Sequence, residues 1–177
     1  MRNMIAAVIL TMSCVSHALA QSHPYAALMD RPIKALSADE VANLRAGRGM
    51  GMALPAELNR YPGPSHVLEN EAALALTPEQ KEQVQRQFET MRGEAVALGE
   101  QIIARDAALD ALVRSGSADA GSIDSATAEL ASLYGQLRAV HLRTHLATRA
   151  TLTESQLAAY QSLRGYDRPG AAPVHKH

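Results

Sequence analysis

The sequence predicts an all-α chain, an elongated antiparallel helical hairpin with short flanking helices. Three observations lead there. Apolar residues recur three or four positions apart over two long stretches, the spacing of a helix packed along a partner helix. Each of two helical stretches opens on the same capping signal, Leu76-Thr77-Pro78-Glu79-Gln80 and Leu152-Thr153-Glu154-Ser155-Gln156. Aromatic residues make up 3% of the chain and Trp is absent. The core is therefore a thin set of Leu, Ala, Val and Ile seams, which suits helix on helix better than a sheet sandwich.

The elements follow in order. Arg2, an apolar run from Ile5 to about Val15 and the A-x-A site Ala18-Leu19-Ala20 read as a cleaved secretory leader, residues 1–20, with Gln21 as the first mature residue. Cys14 raises a lipoprotein alternative, but Thr11-Met12-Ser13 before it is a poor attachment context. Removal of the leader takes away the one Cys, so stability must come from packing rather than disulfides. Residues 21–64 read as an N-terminal arm with short helices. Ser37-Ala38-Asp39-Glu40 is a capping box, closed by Gly47, and a second short helix is expected around Ala53–Asn59. Tyr61-Pro62-Gly63-Pro64 is a break, followed by a helix over roughly Ser65 to Leu74.

Thr77 then caps the first long helix, with Pro78 at its first position and Gln80 reaching back to the cap. Its seam is Val84, Phe88, Met91, Ala95, Leu98, Ile102, Leu109 and Leu112, broken at Arg105. A helix to Arg114 would be roughly 55 Å long, beyond the width of a compact globule of this size. Ser115 to Ser122 reads as the hairpin turn. The second long helix runs from about Ile123 to Ala150 with the seam Ile123, Ala126, Leu130, Leu133, Leu137, Val140, Thr144 and Ala147. Thr153 opens a last helix that ends near Gly165, and residues 167–177 form a polar tail. So thin a hairpin is expected to bury a second apolar face in a homodimer.

Two Leu-Thr-x-x-Gln elements in an exported, helical chain whose mature part lacks Cys form a specific combination. Over residues 65–166 the chain resembles the LTxxQ family of periplasmic proteins: Spy/CpxP-like chaperones and their ZraP- and CnrX-like metal-responsive relatives. Leu76, Thr77, Gln80, Leu152, Thr153 and Gln156 carry the resemblance. It implies a curved hairpin that dimerises into a cradle, in the periplasm, with no required cofactor, binding partly unfolded envelope proteins without ATP. It also implies a second possibility, a heavy-metal sensor or buffer.

His141 and His145 stand one turn apart, next to Val140 and Thr144, a spacing that can bind Zn²⁺, Cu²⁺, Ni²⁺ or Co²⁺. Two ligands are too few for a tight site. The hairpin topology nominates His66 and Glu69, just before the first long helix, as the others. The competing reading makes the histidines half-exposed flank residues bonded to a carboxylate or backbone. Met50, Met52 and Leu54 form an adaptable apolar segment for client contact, or a short helix filling gaps over the hairpin. The mature part has 16 basic against 18 acidic residues once Arg2 is gone, which gives no case for nucleic acid. No stretch of the mature chain is long and apolar enough for a membrane span. The absence of a mature Cys nucleophile, of G-x-S-x-G and of HExxH points away from an enzyme.

Overall fold

The structure, a computed structural model, describes residues 25–167. Residues 1–20, where the sequence predicts a leader, residues 21–24 and the tail from residue 168, His175 and His177 included, lie outside the described residues. Two compact units are present. In the first, up to Asp30, the described residues hold a 3-10 turn at Ala26–Leu28.

The second unit starts at Arg31 and holds six α-helices among the described residues: α1 Ala38–Arg45, α2 Leu54–Glu57, α3 Pro64–Glu69, α4 Pro78–Arg114, α5 Ala120–Thr151 and α6 Glu154–Arg164. The all-α expectation holds, with α4 and α5 as the hairpin. Every predicted cap forms. Ser37, Thr77 and Thr153 each accept from the backbone N–H three residues on, and Glu40, Gln80 and Gln156 accept from the cap N–H in return. The two Leu-Thr-x-x-Gln elements also bond to each other. The side-chain amides of Gln80 and Gln156 lie 2.9 Å apart, Gln80 Nε2 also donates to the Thr151 carbonyl at 2.9 Å, and Gln156 Nε2 to that of Leu74 at 3.2 Å. Each glutamine thus caps its own helix and ties it to the other's entry.

Several boundaries differ from the sequence reading, each for a local reason. Asp119 forms a capping box with Ser122, so α5 starts at Ala120 rather than Ile123. The helix expected over 65–74 starts at Pro64 and stops at Glu69, where the Asn70 amide donates to the His66 carbonyl at 2.8 Å. The helix expected over 53–59 is the single turn of α2, closed just before Arg60 with its φ of +69°. The break in the α4 seam is real: Arg105 is exposed and pairs with Glu129 at 2.8 Å. Its neighbour Asp106 is buried in its place. Burial pushes the Asp106 carboxyl above its ordinary range, against a hydrogen bond from the Tyr134 hydroxyl.

Residues 31–64 pack as part of the same unit as the hairpin, not as a separate arm. The reason is visible at Gly99 on α4. A Cβ there would stand 2.4 Å from the Leu44 carbonyl oxygen, so α1 lies backbone-close on α4. Gly47, with φ +65°, makes the next approach, where a Cβ would lie 3.0 Å from the Arg92 carbonyl oxygen. Gly99→Ala, normally favourable in a helix, is therefore expected to destabilise by about 1–3 kcal/mol through steric conflict. Chemical denaturation of the purified variant checks the sign.

The core has two parts. Leu36 and Leu44 join Ala95, Ile102, Ile103, Leu130, Leu133 and Leu137 in one. Val67, Leu74, Val84, Leu152, Leu157 and Tyr160 form the other, where α3 and α6 meet the open end of the hairpin. Between Val84 and Ala95 on α4, and between Leu137 and Leu152 on α5, neither cluster fills the hairpin.

Candidate functional site

That gap is a cavity of about 540 Å³. Phe88, Met91 and Arg92 line it from α4, His141 and His145 from α5, and residues 46–66 lie across it, with Met50, Leu54, Glu57, Gly63 and His66 on its wall. Both α5 histidines are buried, at 3% and 8% exposure, where the sequence placed them on the flank of the seam. The α5 seam is as expected from Leu130 through Leu137 to Val140. It then moves on to His141, His145 and Thr148, leaving Ala147 exposed and Thr144 half-buried. A nearly straight helix turns every 3.6 residues, so a strict 3.5 stripe drifts around it by about 20° per heptad. The covering segment 46–66 then decides which side is dry.

Each imidazole is held differently. His145 Nδ1 lies 2.8 Å from the Tyr61 carbonyl oxygen, which only accepts, so Nδ1 carries a proton and Nε2 is the nitrogen left to act as a ligand. His141 is the exception: its Nε2 is shut off from solvent and has no hydrogen-bond partner. Burial, and then the neighbouring His145, hold the His141 pKa below that of a free imidazole, so the ring is neutral at pH 7. An unpartnered buried polar nitrogen is costly, and its presence calls for an explanation.

The centre of the wall is Glu57, which sequence reasoning missed. It is 5% exposed and receives a hydrogen bond from the Gly63 N–H at 3.0 Å, another from the Tyr160 hydroxyl, and one from the Tyr166 hydroxyl at 3.2 Å. His66 Nδ1 lies 3.5 Å away, Arg164 Nε 3.6 Å and His145 Nδ1 3.8 Å. Burial alone would raise its pKa. The hydrogen bonds from His66, Tyr160 and Gly63 outweigh that and hold it at about 2. The Tyr160 hydroxyl is pushed well above its usual range by burial and by this carboxylate. Glu57 is thus a charged knot joining α2, α3, α5 and α6. Nothing in the sequence around Leu54-Pro55-Ala56-Glu57 marks it, because its partners come from far along the chain.

The other nominated residues fall as follows. His66 shares the cavity with His141 and His145 and is linked through Glu57 to His145 alone. Glu69 is exposed on α3 and does not line the cavity, because α3 turns its His66 side inward. Met50 and Leu54 are 38% and 53% exposed at the cavity wall. Met52 packs against the first core cluster.

A transition-metal cation fits the donor chemistry of the pair: the unpartnered His141 Nε2, and a His145 ring whose Nδ1–H is fixed on a backbone carbonyl, the usual outer contact of a metal-binding imidazole. A closed ligand set is not present. Among the described residues, no three His, Cys, Asp or Glu side chains stand where they could hold one ion together. The oxygens of Glu57 are already engaged.

Neither the curated proteins nor the solved structures gave a match to the chain. The model of a family described as heavy-metal resistance matches residues 41–159, from within α1 into α6, and so spans the whole cavity. The chain belongs to this heavy-metal resistance family, a Spy/CpxP/ZraP-like group of helical proteins.

Proposed function

We propose that this chain is a metal-responsive protein of the cell envelope, binding a transition-metal cation at His141 and His145 and carrying out no catalysis. The observation that carries the reading is the buried, unpartnered Nε2 of His141 beside a cavity shared with His145 and His66. Family membership supports it, and the leader-like residues 1–20 support a periplasmic address. A bound ion would supply a fixed centre of positive charge for lone pairs that now lack one. The chain's own part is to orient and keep dry. The Tyr61 carbonyl fixes the His145 tautomer, burial keeps His141 neutral, and the segment 46–66 screens both from water. His66 is the third imidazole within the same walls.

Calorimetric titration of the purified protein with Zn²⁺, Cu²⁺, Ni²⁺ and Co²⁺ tests this. One ion per chain is expected, and His141→Ala should weaken binding more than tenfold with helix content unchanged. Binding of equal strength in the variant would remove His141 from the site.

A chaperone reading has one observation in its favour. Met50, Leu54 and Leu58 expose 38%, 53% and 57% of their surface on and beside α2. A homodimeric cradle presenting such residues would hold partly unfolded envelope proteins by weak, reversible contacts. Suppression of client aggregation by metal-free protein, lost on replacing Leu54 and Leu58 by Ser, would favour it over the metal reading.

A further inference from the structure

We propose that the cavity selects a soft monovalent cation, Cu(I) or Ag(I), through the thioethers of Met91 and Met50 together with His141. This rests on the metal-binding reading and names its ion. The first observation is register. The Thr148 hydroxyl donates to Gln87 Oε1 at 3.3 Å and Arg105 pairs with Glu129 at 2.8 Å, and these two contacts fix how α4 runs against α5. Counted from the first, Met91 stands opposite Thr144, and from the second opposite Arg143, in both cases between His141 and His145. Met91 is 7% exposed, and Met50 is 38% exposed on the covering segment. Both residues line the cavity with His141, Met91 buried and Met50 nearer solvent.

The second observation is charge. Glu57 is the only carboxylate among the described residues lining the cavity, and its oxygens are taken by Gly63, Tyr160 and Tyr166, with Arg164 beside them. Arg48 and Arg92 line the same cavity. The donors left over are neutral: imidazole nitrogen and thioether sulfur. Desolvating an ion costs in proportion to the square of its charge, so a wall of neutral donors with no free carboxylate compensates a monovalent ion better than a dication. A soft monovalent ion is satisfied by few neutral nitrogen and sulfur donors.

The test uses the full chain carrying Cys14→Ser, so that no thiol competes. Ag(I) serves as the redox-inert probe, Cu(I) is held reduced by ascorbate and read by competition with a chromophoric chelator, and Zn(II) is titrated in parallel. Expected are one Ag(I) or Cu(I) per chain, bound at least tenfold more tightly than Zn(II). Met91→Leu, which conserves volume, should weaken Ag(I) binding at least tenfold and leave Zn(II) affinity unchanged. Copper-edge X-ray absorption should show a sulfur neighbour that Met91→Leu removes. Met50→Leu, near the surface, gives a second variant should Met91→Leu misfold. Tighter binding of Zn(II) than Ag(I), or Ag(I) binding indifferent to both methionines, overturns the soft-ion assignment while the His141 site stands. Failure of every ion to bind overturns both.

Discussion

Glu57→Ala is expected to lower the stability of the fold by about 3–5 kcal/mol, the usual cost of removing one side of a buried charged network. For a unit of this size that is a fall in melting temperature of roughly 10 °C. The loss comes from the partners left behind. The Tyr160 hydroxyl, fully buried, loses its acceptor, the Gly63 N–H loses its own, and Arg164 keeps a charge with no counterpart beside it. Glu57→Gln retains an acceptor and should cost less. The pH dependence has a definite sign. Glu57 is held at about 2, below its ordinary 4.5, so the folded state binds fewer protons than the unfolded state between those values. Its contribution is complete above about pH 4.5 and is lost as pH falls toward 2. Thermal melts of wild type and variant, followed by circular dichroism, should differ most at pH 7 and converge near pH 2. Equal melting temperatures at pH 7 would show that the knot contributes nothing.

The second large effect is on metal binding. An imidazole takes a metal only when neutral, so each ligand that gains a proton is withdrawn. Burial holds the His141 pKa below that of a free imidazole, so it keeps its lone pair to lower pH than an exposed histidine would. Affinity should be flat from pH 8 to 7 and fall in acid, starting at lower pH than for a site of exposed histidines. The same depression means that acid favours the unfolded chain, whose histidine protonates first on the way down through about pH 6.5. Titrations at three pH values check the slope, and an affinity constant to pH 5 would exclude imidazole ligands.

How much of this was legible in the sequence follows from the range of the interactions. Thr77 with Gln80, Thr153 with Gln156 and Ser37 with Glu40 are contacts three residues apart, and the seams of α4 and α5 are local periodicities, so caps and helices could be read directly. His141 and His145 were legible as a pair for the same reason. Their burial was not, because the segment 46–66 that covers them is separated from them by the whole hairpin. Glu57 was illegible on the same ground: its bonds to Tyr160 and Tyr166 cross more than a hundred positions. The hairpin topology brings the short helix before α4 to the histidine pair, but on so short a helix Glu69, three residues from His66, faces solvent. Register is the intermediate case. The two seams predict that α4 and α5 face each other, but only contacts such as Gln87 with Thr148 set Met91 between the histidines.

The most direct test of the central claim reads the histidine ring nitrogens themselves, by long-range proton–nitrogen correlation spectra of uniformly ¹⁵N-labelled protein at pH 7.5. Without metal, His145 should appear as the Nδ1–H tautomer, as its bond to Tyr61 requires, and His141 as a neutral ring. One equivalent of a diamagnetic ion, Ag(I) or Zn(II), should move the His141 Nε2 resonance strongly and leave the His145 Nδ1–H in place. Resonances of His141 and His145 that stay fixed while only other histidines shift would contradict the account.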